Sequence, residues 1–105
     1  MVYLTVCMNV LDGADYDEVY QAAKEVEHLT NQEEGCIYFH VYPSSREKRQ
    51  IMMWEIWKDK AAIEVNQRAS YRRAFAAKKL VKPEFGMKSE VEIDDNNFIC
   101  TPKTQ

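Results

Sequence analysis

Glu55 and Trp57 stand two residues apart in the run Gln50 to Trp57, and together they offer a carboxylate and an indole N–H. Residues i and i+2 of a strand share a face, so Ile51, Met53, Glu55 and Trp57 look one way and Met52, Trp54 and Ile56 the other. A carboxylate on a buried face has its pKa raised by desolvation, which turns it into a usable general base. The indole can donate to a substrate oxygen. Each residue also has a plainer role, Glu55 as a buried carboxylate held by a basic partner and Trp57 as a core aromatic closing a helix layer. Asn9 ends the first apolar run and offers both a donor and an acceptor to a bound carbonyl or hydroxyl, or else a local cap before a turn. Arg72 and Arg73 could hold an anionic intermediate, although adjacent arginines on an amphipathic helix are commonly solvated. Asn66, about a turn and a half before Tyr71, is a further candidate to line the mouth of such a site.

The other reactive side chains point away from metal or redox chemistry. Cys7, Cys36 and Cys100 are far apart, form no CxxC or Cys/His ligand spacing, and as three cannot all pair within one chain, so they are expected as reduced thiols. His28 lies near a helix end, where it complements the helix dipole. His40 falls by parity on the face opposite Glu55. No Gly-rich dinucleotide loop follows the first strand. No cofactor and no metal are expected.

The elements that must position these residues follow from pattern. Val2 to Val10 carries Val2, Leu4, Val6, Met8 and Val10 on one parity and reads as a strand with one firmly buried face. Asp12-Gly13 supplies a turn, and Asp15 with Glu18 makes a capping box for a helix bearing Tyr16, Val19, Ala23 and Val26 and ending near Thr30. Cys36 to Tyr42 and Gln50 to Trp57, joined by the polar Pro43 to Arg49, read as a hairpin. Asp59 caps a helix from Lys60. Ser70 caps a second segment from Tyr71 toward Leu80, which Pro83 and Gly86 bring to a stop. Met87 to Ile93 alternates as a strand, and Phe98 to Cys100 adds a short one before a loose tail.

This β-α-β-β-α-β order is the split βαβ arrangement of a ferredoxin-like α+β sheet with its helices on one face. Residues 1–95 are expected to form one domain and 96–105 a tail. Both hairpin strands are apolar or aromatic on both parities, so the face bearing Tyr38, His40, Tyr42, Met52, Trp54 and Ile56 needs its own cover. An identical face supplies it, and a homodimer is expected because a two-fold interface needs only one self-complementary patch.

Composition bounds the function. The chain has 105 residues, 46% hydrophobic and 30% charged, with a net charge of −3. That balance, without a basic stripe, argues against a nucleic-acid partner. No run approaches the roughly 18 apolar residues of a membrane helix, and the start lacks the charged n-region and cleavage site of a signal peptide. A cytoplasmic protein with no membrane partner is expected.

Glu33-Glu34-Gly35-Cys36 with Phe39, Val41 and Tyr42, then Trp54-Glu55-Ile56-Trp57-Lys58-Asp59 with Ala61-Ala62, then Asn66 through Phe75, resemble the antibiotic biosynthesis monooxygenase family of dimeric α+β barrels. Asn9-Val10 agrees more loosely. The resemblance implies a homodimer packed sheet to sheet, with a pocket in each subunit between sheet and helices. It also implies a range of activities: cofactor-independent quinol and phenol oxygenation, action on small autoinducer-type carbonyl compounds, and haem degradation. Many members carry a Thr/Ser-Pro-His-Phe sequence where Ala69-Ser70-Tyr71-Arg72 stand here, so Tyr71 occupies the place of their His. With an ordinary pKa of about 10, Tyr71 is a hydrogen-bond donor before it is a base. The haem-degrading branch places its iron-ligating His just after the position of Phe75, where this chain has Ala76.

On this reading the pocket is bounded by Asn9, Phe39, Glu55, Trp57, Asn66 and Tyr71. Asn9, Glu55, Trp57 and Tyr71 are the catalytic candidates, and Phe39, Asn66 and Arg72 the substrate-binding ones. The expected reaction joins molecular oxygen to a small aromatic, phenolic or quinol-like substrate that supplies its own electrons. The alternatives are an isomerase or lyase acting on a small carbonyl metabolite through a base such as Glu55, and a ligand-binding stress-response dimer without catalysis.

Overall fold

The computed structural model describes residues 1–90. Its element order is β1 (Val2–Val10), α1 (Tyr16–Thr30), β2 (Cys36–Ser45), β3 (Gln50–Trp57), α2 (Lys60–Arg68), α3 (Ser70–Ala77) and β4 (Val81–Glu90). The four strands form one antiparallel sheet in the order β2-β3-β1-β4, so β1 and β3 occupy the centre. This is the ferredoxin-like arrangement, with the second helical region broken in two.

Local chemistry explains the helix ends. Asp15 accepts from Glu18 N–H at 3.0 Å and starts α1, and Asp59 accepts from Ala62 N–H at 2.9 Å and starts α2. The break falls at Ala69, whose ψ of 140° is extended, and no side chain caps α3 there. Ser70 is thus the first helical residue of α3 rather than its cap. At Gly35 a Cβ would stand 2.3 Å from Ala62 Cβ, so only glycine lets the α1–β2 connection lie this close to α2.

β4 differs most from expectation. It begins at Val81 and runs through Pro83 and Gly86, the residues expected to stop a helix reaching Leu80; α3 in fact ends at Ala77. Pro83 is tolerated because β4 is an edge strand and its register slips between Cys7 and Met8, leaving Glu84 as the extra residue of a bulge. The expected strand over Met87 to Ile93 is described only as far as Glu90, and the short strand at Phe98 to Cys100 lies outside the described residues.

One face of the sheet carries the core. Val2, Met8, Val10, Phe39, Val41, Ile51, Met53 and Trp57 pack with Tyr16, Val19 and Ala23 of α1, and Ala62, Ile63 and Phe75 of α2 and α3 close over them. On the opposite face Trp54 and Phe85 are each 50% exposed and Met87 66%. There the Tyr42 and Trp54 rings meet edge to face at 5.5 Å.

The outer edge of β2 is closed by α1. Phe39 N–H donates to Asn31 Oδ1 (3.1 Å) while Asn31 Nδ2 donates to the Phe39 carbonyl (2.8 Å), so one amide replaces a strand neighbour. Two residues on, Val41 N–H donates to Glu27 Oε2 at 2.6 Å and Lys24 Nζ reaches the Val41 carbonyl at 3.4 Å. An edge whose polar groups are already paired resists addition of a foreign strand.

Candidate functional site

The antiparallel register places Leu4, Phe39 and Glu55 side by side, with Val2 and Trp57 on the next row. All point to the helix side, as alternation requires. Glu55 is only 7% exposed and Trp57 1%. Trp57 Nε1 donates to Glu55 Oε1 at 2.8 Å. Burial raises the Glu55 pKa, while the indole N–H and the charge of Arg72 oppose that rise. A carboxylate so placed is a proton acceptor whose titration lies above that of a solvated Glu.

Arg72 comes from α3. Its guanidinium carbon lies 6.0 Å from the centroid of Phe39, and Phe39 in turn meets Trp57 edge to face at 6.3 Å. A cation over a ring is held without being neutralised. Arg72 also lines a cavity of about 240 Å³ between the sheet and the helices. Met8 and Met53 form the sheet side, Ala23 and Val26 come from α1, and Phe75 and Ala76 from α3. Lys79, Leu80, Val81 and Pro83 complete the wall. The cavity's volume exceeds the roughly 150 Å³ of a dry engineered cavity that holds benzene. Glu55 and Trp57 are not on its wall, and Arg72 is the wall residue whose charge acts on Glu55. Ala76, at the place where the haem-degrading branch is expected to carry its ligand, lies on the wall.

Tyr71 and Asn66 form a separate polar cluster. Asn66 is 2% exposed, and its Nδ2 shares its two N–H groups among Glu33 Oε2 at 2.9 Å, Tyr71 OH at 3.1 Å and Thr30 Oγ1 at 3.4 Å. The Tyr71 hydroxyl donates to Glu33 Oε2 and lies 3.2 Å from Thr30 Oγ1. Burial, with Glu33 as the next contribution, raises the Tyr71 pKa, which holds the phenol protonated. The cluster ties the α2–α3 corner to the end of α1.

The expected six-residue pocket is therefore not assembled as one site. Phe39, Glu55, Trp57 and Arg72 come together, Asn66 and Tyr71 join Thr30 and Glu33, and Asn9 is elsewhere. Asn9 shares the parity of Thr5 and Cys7 and pairs with Gln50, which places it on the face opposite Glu55. Its amide donates to Glu84 Oε2 at 2.5 Å and accepts from Gln50 Nε2 at 3.2 Å. His40, expected on the open face, has Nδ1 3.2 Å from Glu27 Oε2 at the β2 edge. His28 Nε2 contacts Gln32 Nε2 at 3.1 Å. Lys79 and Phe75 are absent from the residues expected at the site, although Arg72, Phe75 and Ala76 fall at i, i+3 and i+4 and so mark one side of α3, with Lys79 just past its end.

An antiparallel β2-β3-β1-β4 sheet with helices on one face and a cavity between the layers defines a ferredoxin-like α+β protein. The antibiotic biosynthesis monooxygenase family model matches residues 1–78, and the chain belongs to that family. It is 36% identical over 91 residues to the uncharacterized protein YjcS of Bacillus subtilis (strain 168), covering 87% of each. A solved structure of protein YJCS superposes with a TM-score of 0.83 at 35% identity, covering 87% of this chain and 98% of that one. A crystal structure named as an antibiotic biosynthesis monooxygenase has the same fold, with a TM-score of 0.71 at 16% identity over 90% of this chain and 99% of that one.

Proposed function

We propose that this chain is a cofactor-independent monooxygenase that oxidises a small phenolic or quinol-like substrate with molecular oxygen. The observation that carries the reading is Arg72, which lines the apolar cavity and whose charge also acts on the buried Glu55. Family membership supports the reaction class.

In this reading the substrate ring sits among Met8, Val26, Met53 and Phe75 with its hydroxyl toward Arg72. Arg72 stabilises the phenolate, the phenolic proton passes through a water to Glu55, which lies behind the wall, and Trp57 keeps Glu55 oriented. The electron-rich anion reduces oxygen directly. One oxygen atom enters the ring as a quinone carbonyl and the other leaves as water, with all four electrons drawn from the phenol. Arg72, seated over Phe39, is the proposed binding residue, Glu55 the proposed proton acceptor with Trp57 positioning it, and Tyr71 and Asn66 hold α3 in place. A homodimer, formed through the open aromatic face, is part of the same proposal.

The test is oxygen uptake by metal-stripped protein with a panel of quinols and polyphenols, beside Glu55→Gln and Trp57→Phe and a no-enzyme control. Uptake above autoxidation that falls in both variants supports the reading. Turnover that persists without oxygen would select the isomerase or lyase, and binding without turnover the ligand-binding dimer.

A further inference from the structure

Of α1, α2 and α3, only the last is built without the usual supports of a helix. Asp15 caps α1 and Asp59 caps α2, but no side chain caps α3 at Ala69. α1 buries Tyr16, Val19, Ala23, Val26 and Thr30 and α2 buries Asn66, while none of the eight residues of α3 is buried. The first turn of α3 has no carboxylate and holds Arg72 and Arg73, the sign of charge that a helix N-terminus disfavours. A helix this short owes its stability to packing, and α3 has little.

Its two ends are held differently. At the start, the backbone is extended at Ala69, and the Tyr71 hydroxyl meets Glu33, Thr30 and Asn66. Among the described residues, these are the side-chain hydrogen bonds that tie α3 to the rest of the chain. Past the other end, Lys79 has φ of 52°, a left-handed conformation that is costly for a residue with a Cβ. The chain is next held beside β1, where Leu11 N–H donates to the Leu80 carbonyl at 2.9 Å. Between these points Arg72, Phe75 and Ala76 form the α3 side of the cavity wall. Elements with few buried groups open before the rest of a fold does.

We propose that α3 is the lid of the cavity: it opens as a unit between Ala69 and Lys79, with the Tyr71 hydroxyl as its latch, and ligand enters and leaves beneath it. The proposal rests on the cavity being the substrate site, as proposed above. Closure sets Arg72 over Phe39, so the charge that stabilises a bound phenolate arrives with the lid.

The experiment is native-state hydrogen exchange of the full chain across a urea series, beside fluorine NMR relaxation dispersion of 4-fluorophenol binding, in the unaltered protein, Ala69→Ser and Tyr71→Phe. The α3 amides are expected to be less protected than those of α1 and to depend little on urea, because a local opening exposes little surface. Ala69→Ser supplies the missing cap and should slow α3 exchange about fivefold, the usual effect of one cap. The association and dissociation rates of 4-fluorophenol should fall by the same factor, leaving its Kd unchanged. Tyr71→Phe, which removes the latch, should speed α3 exchange and both rates. α3 amides with the protection and urea dependence of α1, phenol rates that do not follow α3 exchange, or no binding of the phenol would overturn the proposal. Neither measurement reads turnover, so a lid that behaves this way in a protein consuming no oxygen would sink the oxygenase reading and leave this one standing.

Discussion

Trp57 Nε1 donates to Glu55 Oε1 at 2.8 Å, from a position two residues further along β3 on the same face. The pair is self-contained: one strand supplies both the buried carboxylate and its donor. Hydrogen bonds to charged groups contribute about 1.5–3 kcal/mol, enough to hold the carboxylate in one orientation but, with Arg72, not enough to cancel the effect of burial.

The first prediction concerns pH. Glu55 has a raised folded-state pKa, so the native protein binds its proton more tightly than the unfolded chain does. The stability this confers is fully present below the ordinary Glu value of about 4.3 and is lost as pH rises through the Glu55 value. Glu55→Gln should remove that loss, which thermal melts across pH would show as a flatter profile. In the oxygenase reading the ionised form is the base, so kcat/KM should rise through the same titration. In Glu55→Gln the rising limb should vanish, with activity down about 100-fold or more.

Tyr71→Phe should act on stability rather than chemistry. It removes a donor from Glu33 and one partner of Asn66, leaving buried polar groups short of partners at a cost of about 1–3 kcal/mol. Denaturant unfolding should show this loss. Oxygen uptake per folded molecule should fall far less than in Glu55→Gln, and an equal fall would restore Tyr71 to the catalytic group.

Gly35→Ala should be among the more damaging single-methyl additions, because the new Cβ meets Ala62 Cβ at 2.3 Å. Overpacking of this kind costs about 1–3 kcal/mol. Adding Ala62→Gly removes the atom in conflict, so the double variant should recover part of the melting temperature. Additive losses would show that α2 is not the element being pushed.

Trp54→Arg tests the proposed homodimer. Trp54 is half exposed on the open face against Tyr42, and a charge there should break a self-complementary apolar contact. Sedimentation velocity should show a dimer in the unaltered chain and a monomer in the variant. A monomer in both would sink the face-to-face assembly.

Much of this arrangement is readable along the chain because it depends on periods and caps. The parity of Val2 to Val10 and Ile51 to Trp57, the Asp15 and Asp59 caps, and the shared side of Glu55 and Trp57 are all local properties of the backbone. Pro83 and Gly86 mislead because a proline that ends a helix and one that sits on an edge strand look alike until the neighbouring strand is known. Asn9 misleads for a similar reason, since Thr5, Cys7 and Asn9 form the less apolar parity and only pairing with Gln50 shows which face that is.

What the amino-acid order determined by itself was the sequence of elements, the two faces of each strand and the residue types on them, because these follow from steric periods of the chain. What only the tertiary structure decided was which side chains meet. Arg72 reaches Phe39 from a different element and its charge acts on Glu55, Tyr71 turns to Glu33, and Lys79 joins the cavity wall. Such meetings depend on how α3 breaks from α2 at Ala69 and packs over the sheet, a non-local choice among contacts that no period in the sequence encodes.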